Sequence, residues 1–101
     1  MKPHVNVSGR QAAQHERSLY SALLTLRTVE EARAFFRDLC TPAEIEAMAD
    51  RWAVVECLHR GLPYREIHRV TGVSITTIGR VARYLTEGSG GYATAVSRLN
   101  G

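Results

Sequence analysis

Cysteine is scarce in this chain, which excludes a fold built on disulfides. Only Cys40 and Cys57 are present among 101 residues, and both fall on segments with a partly apolar, helical pattern. No histidine or second cysteine stands at ligand spacing from either one, which also argues against a metal site. We therefore expect two reduced, partly buried thiols, as is usual in a reducing cytoplasm.

Long apolar runs are missing as well. No stretch approaches the length of about 20 residues that a membrane-spanning helix needs. Residues 1–9 contain no apolar core of a signal peptide. The predicted location is cytoplasmic.

Catalytic constellations do not stand out either. The histidines are His4, His15, His59 and His68. They form no metal-binding pair, and no Ser/His/Asp or Cys/His grouping accompanies them. The sequence therefore predicts no enzyme and no metal.

Strand-like alternation is absent, and helical periodicity covers almost the whole chain. We expect a flexible leader at residues 1–10, followed by a single helical domain over residues 11–101. The predicted helices run from near Arg10 to Leu26, from a capping box at Thr28 to Leu39, from a capping box at Thr41 to Arg60, from Pro63 to the turn at Gly72, from Ser74 to Leu85, and from Tyr92 to Leu99.

The segment at about residues 63–85 has the pattern of a helix-turn-helix. Gly72 stands where the chain must turn sharply, and Ser74 is a natural N-cap for the next helix. One apolar seam can lock the two helices together, formed by Ile67, Val70, Val73, Ile78 and Val81. In such a motif the second helix enters the DNA major groove.

The placement of charge says more than its sum. The net charge of +3 and the isoelectric point of about 9.2 are only mildly basic. Between His59 and Arg83 a single acid, Glu66, stands against five arginines, which are Arg60, Arg65, Arg69, Arg80 and Arg83. A solvated basic face is the alternative, but together with the helix-turn-helix pattern we favour binding to double-stranded DNA.

The first two helices are apolar over more than one face. A chain this small offers few partners to cover both faces, so we expect a homodimer. Dimerisation would also set two recognition helices about one DNA turn, roughly 34 Å, apart. The alternative is that the first three helices form one compact core within a single chain.

From Thr41 onward the residues resemble the bacterial tryptophan-repressor (TrpR) family. The matching positions are Thr41-Pro42-x-Glu44-x-Glu46-Ala47, Arg51, Val55-Glu56, Arg60-Gly61, Arg65-Glu66 and Gly72-x-x-Ile75-x-Thr77-Ile78-x-Arg80. The chain is similar to the YerC/YecD branch of TrpR-like proteins, which its first helix and its segment 86–92 also fit. The resemblance implies an all-α, intertwined homodimer in which N-terminal helices are exchanged between subunits.

The resemblance also implies a ligand pocket. Tryptophan repressors sandwich the corepressor indole between two arginines, and Arg51 and Arg80 stand at the matching positions, with Thr77 at a further pocket position. In that family a glycine after the second arginine lets the ligand lie close to the helix, and Val81 stands at this position here. Overpacking a close contact with a larger side chain costs about 1–3 kcal/mol. Val81 therefore argues against L-tryptophan, and no cofactor is predicted. Another planar or anionic corepressor, a DNA phosphate contact and surface ion pairs stay as alternatives for the two arginines.

We expect the motif's two helices to carry the DNA contacts. The predicted DNA-binding residues are Arg65, Arg69, Ser74, Ile75, Thr76, Gly79, Arg80 and Arg83. Methyl groups of Ile75 and Thr76 can meet a thymine methyl, although a core position is the alternative for Ile75. Gly79 costs a helix about 1 kcal/mol relative to alanine, which either close approach to DNA or close helix packing would explain. His68 stands where a small residue is usual, so the helix crossing is expected to differ.

These features predict a homodimeric, sequence-specific DNA-binding transcriptional regulator, with repression as the implied mode. The alternative is a dimeric module of the same fold that binds a protein or a metabolite and does not itself read DNA.

Overall fold

Six α-helices account for most of residues 8–101, the part of the chain that the computed structural model describes. They are α1 (Gly9–Leu23), α2 (Val29–Leu39), α3 (Pro42–His59), α4 (Tyr64–Thr71), α5 (Ile75–Glu87) and α6 (Gly91–Asn100). No strand occurs within this range, so the predicted all-α class is confirmed. The chain divides into an N-terminal unit, up to Cys40, and a C-terminal unit, Thr41–Gly101.

Helix α1 begins earlier and ends earlier than its apolar pattern suggests. The Ser8 hydroxyl accepts a hydrogen bond from the Gln11 N–H, and the Gln11 side chain accepts one from the Ser8 N–H, both at 3.1 Å. This reciprocal cap starts the helix at Gly9, inside the predicted leader. The remaining leader residues, 1–7, lie outside the described residues. At the other end the helix stops at Leu23 instead of Leu26, and the Thr25 hydroxyl donates to the Ala22 carbonyl.

Helix α2 has only half of its predicted capping box. The Thr28 hydroxyl accepts from the Glu31 N–H at 3.1 Å, as expected. The Glu31 carboxylate, however, accepts from the N–H of Arg27 at 2.8 Å instead of the N–H of Thr28. Neither α1 nor α2 contains a buried residue.

Helix α3 opens the C-terminal unit with both halves of its capping box. The Thr41 hydroxyl accepts from the Glu44 N–H at 3.2 Å, and the Glu44 carboxylate accepts from the Thr41 N–H at 2.8 Å. At its other end Gly61 takes a φ of 79°. The N–H groups of Gly61 and Leu62 donate to the carbonyls of Leu58 and Cys57, which is the Schellman arrangement and confirms Gly61 as the terminating glycine.

One apolar core holds the C-terminal unit together. Its buried members are Val54, Val55, Cys57, Ile67, Val73, Ile78, Val81 and Val96. Four of the five residues predicted for the helix-turn-helix seam are among them. The fifth, Val70, is a correction, because it is 48% exposed and lies at the rim of a cavity instead of inside the seam. Met48 is also exposed, although its spacing from Ile45, Trp52, Val55 and Leu58 at intervals of three and four residues predicts a place on a buried stripe of α3. Across residues 8–101 no helix is both long and apolar enough to cross a membrane.

Candidate nucleic-acid interface and ligand pocket

The turn between α4 and α5 is fixed by local hydrogen bonds. Gly72 adopts a φ of 75°, and its N–H donates to the His68 carbonyl at 2.9 Å. The Thr71 hydroxyl donates to the Ile67 carbonyl and accepts from the Val73 N–H. His68 Nδ1 lies 2.7 Å from the Val73 carbonyl oxygen, so it donates across the turn. The side chain of His68 therefore joins α4 to the segment that leads into α5.

Helix α5 turns one face inward and one face outward. Ile78 and Val81 are buried in the core, whereas Ile75 is 48% exposed. The core alternative for Ile75 is therefore wrong. Thr76 and Arg80 are exposed on the same helix. Ser74 caps the helix through its hydroxyl, which accepts from the Thr77 N–H at 3.2 Å.

Gly79 is not required by packing inside the unit. A Cβ atom added there would meet nothing closer than Tyr64 Cε2 at 4.0 Å, which is an ordinary van der Waals distance. Close helix packing was one of two explanations for a glycine in mid-helix, and this spacing argues against it. Room for an external partner is the other.

The four arginines predicted to contact DNA fall into two pairs. Arg69 forms a salt bridge and hydrogen bonds with Glu66, and the Arg83 Nε donates to Glu87 at 3.3 Å. The hydrogen bonds from Arg69 lower the pKa of Glu66, so this pair stays charged at neutral pH. Arg65 and Arg80 are exposed, and within residues 8–101 neither forms an ion pair.

The three predicted ligand-binding residues lie together. Arg51 of α3 and Thr77 and Arg80 of α5 line one cavity of about 220 Å³. Val81 also lines this cavity, and only 2% of its surface is exposed. The position at which the resemblance implies a glycine therefore carries a valine side chain at the cavity wall.

Two tyrosines complete this cavity, and neither was predicted as a site residue from the sequence. Tyr84 follows Arg80 by one helical turn, and Tyr92 comes from α6. The Tyr92 ring also packs near Trp52, with ring centroids 6.3 Å apart. The four-residue spacing to Arg80 was a readable signal for Tyr84, whereas Tyr92 reaches the cavity only through the course of the chain at Gly88 and Gly90. Among the described residues no group of His, Cys, Asp and Glu is placed to hold a metal ion.

The helices, the glycine turn and the outward face of α5 define an all-α helix-turn-helix protein. The model of the family described as Trp repressor protein matches residues 14–100, and the chain belongs to that family. This confirms the resemblance found in the sequence.

Individual relatives agree with the family assignment. The chain is 41% identical to the YerC protein of Bacillus subtilis over 81 residues, which are 80% of this chain and 78% of that protein. It is similar to the crystal structure of a TrpR-like protein from Eubacterium eligens, with a TM-score of 0.82, 38% identity and coverage of 86% of this chain and 90% of that one. A candidate Trp repressor from Staphylococcus aureus gives a TM-score of 0.79 and 39% identity, over 88% of this chain and 87% of its own.

Proposed function

We propose that this chain is a sequence-specific DNA-binding transcriptional regulator that reads duplex DNA with α5. The observation that carries the proposal is the division of α5 into a buried face, with Ile78 and Val81, and an exposed face, with Ile75, Thr76 and Arg80. A recognition helix needs this division, because its inner face must be anchored while its outer face enters the major groove.

The charges around α5 support the same function. Arg80 on α5 and Arg65 on α4 are exposed cations without an acidic partner among the described residues, so they are available to phosphate or guanine. Arg69 and Arg83 would contact phosphate while sharing their charge with Glu66 and Glu87. The first turn of α5 offers further backbone N–H groups, since Ser74 caps only the Thr77 N–H.

A homodimer is the second part of the proposal. The described part of the N-terminal unit, residues 8–40, has no buried residue, and Tyr20, Leu24, Val29 and Leu39 are each more than half exposed. Apolar side chains left uncovered in this way mark an interaction surface. A second copy of the chain is the partner that suits a DNA reader, because two recognition helices can then bind two half-sites. Exchange of the N-terminal helices, as the resemblance implies, would cover these residues.

The cavity beside α5 supports a candidate effector site. Two arginines, a threonine hydroxyl and two tyrosine rings suit a small planar or anionic molecule. Val81 argues against L-tryptophan, because its side chain occupies the position where the resemblance implies a glycine beside the ligand. A corepressor bound there would touch Arg80 and could change how α5 meets DNA.

A binding titration with matched variants tests the DNA proposal. Duplexes are first selected from fragments of the source genome, and the affinity of the best duplex is then measured by fluorescence anisotropy. Arg80→Ala should weaken binding by at least about 1 kcal/mol. Arg98→Ala removes the same charge from α6 and serves as the control. Equal affinities of the two variants would contradict the role of the exposed face of α5.

A further inference from the structure

A small apolar notch lies on the outward side of α5. Gly79 has no side chain, and its position faces open space except for the ring edge of Tyr64, whose Cε2 would lie 4.0 Å from a Cβ atom. Tyr64 is the first residue of α4 and is 42% exposed. The ring edge therefore forms one wall of the notch.

Ile75 flanks the notch along the helix. It precedes Gly79 by four residues, so its side chain lies one turn away on the same face of the helix, and about half of its surface is exposed. Arg83, one turn on the other side, is drawn toward Glu87 by the hydrogen bond from its Nε. The Tyr64 ring edge and the Ile75 side chain therefore give the notch two apolar sides, while exposed Thr76, three residues before Gly79, lies on the same face of the helix.

We propose that this notch, formed by Gly79, Tyr64 and Ile75, accepts the methyl group of a thymine in the DNA major groove. The inference rests on the proposed function and adds a preference for one base. Thymine is the only base that presents a methyl group in that groove. A phosphate or a sugar hydroxyl would lose hydration against the Tyr64 ring edge and the Ile75 side chain.

The absence of a side chain at position 79 matters for this fit. A methyl group can approach the Cα of glycine closely, whereas a Cβ atom would occupy the same space. Because packing within the unit leaves that space open, alanine at position 79 should be tolerated by the fold and even favoured by helix propensity. Effects of Gly79→Ala on binding can therefore be separated from effects on folding.

The test replaces thymines by uracils in the selected duplex, one position at a time. This change removes only the methyl group and keeps base pairing. For the wild-type chain one thymine in each half-site should show a loss of affinity of about fourfold, which corresponds to about 0.8 kcal/mol for one methyl-sized group. For Gly79→Ala the thymine-to-uracil ratio at that position should fall to about one, with an unchanged or higher melting temperature.

Three further variants check the assignment. Gly91→Ala, a helical glycine in open space on α6, should keep the fourfold ratio. Tyr64→Phe should keep it as well, because the ring edge remains, whereas Tyr64→Ala should reduce it. A thymine-to-uracil ratio near one in Gly91→Ala, or a ratio that stays near four in Gly79→Ala, would overturn the proposed notch.

The two proposals fail in different ways. Tight binding to the selected duplex with equal affinity for thymine and uracil at every position would overturn the notch and leave the DNA reader intact. Absence of binding to any duplex would overturn the DNA reader and the notch with it.

Discussion

Helices α1 and α2 carry no buried side chain, whereas α3–α6 and the turns between them hold every buried apolar residue of the described chain. Both parts have capped helices and apolar stripes, so the contrast does not come from helix formation. The contrast comes from whether other helices of the same unit cover each apolar stripe. The C-terminal unit closes a core of its own around Ile67 and Ile78, whereas the N-terminal unit leaves large apolar side chains exposed, which we propose a second copy of the chain covers.

The first prediction tests the exposed apolar surface of the N-terminal unit and has the largest expected effect. Leu24 is 86% exposed, and Leu24→Asp should remove its contact from both copies of the proposed dimer. Burial of a leucine is worth about 1.5–3 kcal/mol, so two copies give about 3–6 kcal/mol of association energy. Sedimentation should find a monomer, while the control Gln14→Asp stays dimeric. A Leu24→Asp protein that still sediments as a dimer would contradict the assignment.

The second prediction concerns the core of the C-terminal unit. Ile78 is fully buried, and Ile78→Ala should lower the free energy of unfolding by about 2–5 kcal/mol in a urea titration. Leu39→Ala, made in the monomeric Leu24→Asp background, should cost less than about 0.5 kcal/mol, because the side chain is half exposed there. Similar losses for both truncations would show that the two units do not differ in the way described.

A third, smaller effect is expected at the turn of the helix-turn-helix. Gly72→Ala places a Cβ on a left-handed backbone with φ of 75°, which costs about 1–2 kcal/mol. The same substitution at Gly91, which is helical, should be neutral or stabilising. Thermal unfolding of the two variants measures the difference. Equal melting temperatures would mean that the turn relaxes to another conformation.

The smallest predicted effect is a pH dependence at the start of α3. The hydrogen bond from the Thr41 N–H lowers the pKa of Glu44 below its ordinary value of 4.5. A carboxylate with a lowered pKa stabilises the fold above that ordinary value, and the contribution disappears as the pH falls through the lowered pKa. Glu44→Gln should therefore be less stable than the wild type at pH 7. Urea titrations at pH 7 and pH 3 should find this difference shrinking at the lower pH, and a constant difference would exclude the charge as its cause.

Local chemistry explains which parts of this account the sequence could predict. The caps at Thr41 and Ser74 and the turn at Gly72 depend on residues within one helical turn, and all three occur where predicted. The positions of Val70 and Met48 depend on which helices lie beside them, and there the periodic pattern was misleading. Helix periodicity says which residues share a face, but not whether a neighbour covers that face.

The candidate site was predictable to a similar extent. Arg51, Thr77 and Arg80 lie around one cavity, as the resemblance implied. The ion pairs of Arg69 with Glu66 and of Arg83 with Glu87 follow three- and four-residue spacings that the sequence displays. The position of Tyr92 could not be predicted from the sequence, because it depends on the backbone at Gly90, whose φ is 88°.

The salt dependence of duplex binding tests the central claim most directly. The affinity of the wild-type protein for its selected duplex is measured at several salt concentrations, and the logarithm of the binding constant is plotted against the logarithm of the salt concentration. A helix-turn-helix dimer that makes several phosphate contacts should give a straight line with a slope of about −0.9 per contact. Arg80→Ala should flatten this slope by about one unit per neutralised phosphate, and Arg98→Ala should leave it unchanged. A protein that ignores duplex DNA at every salt concentration would be an interaction module of the same fold, and the account of α5 as a DNA reader would be wrong.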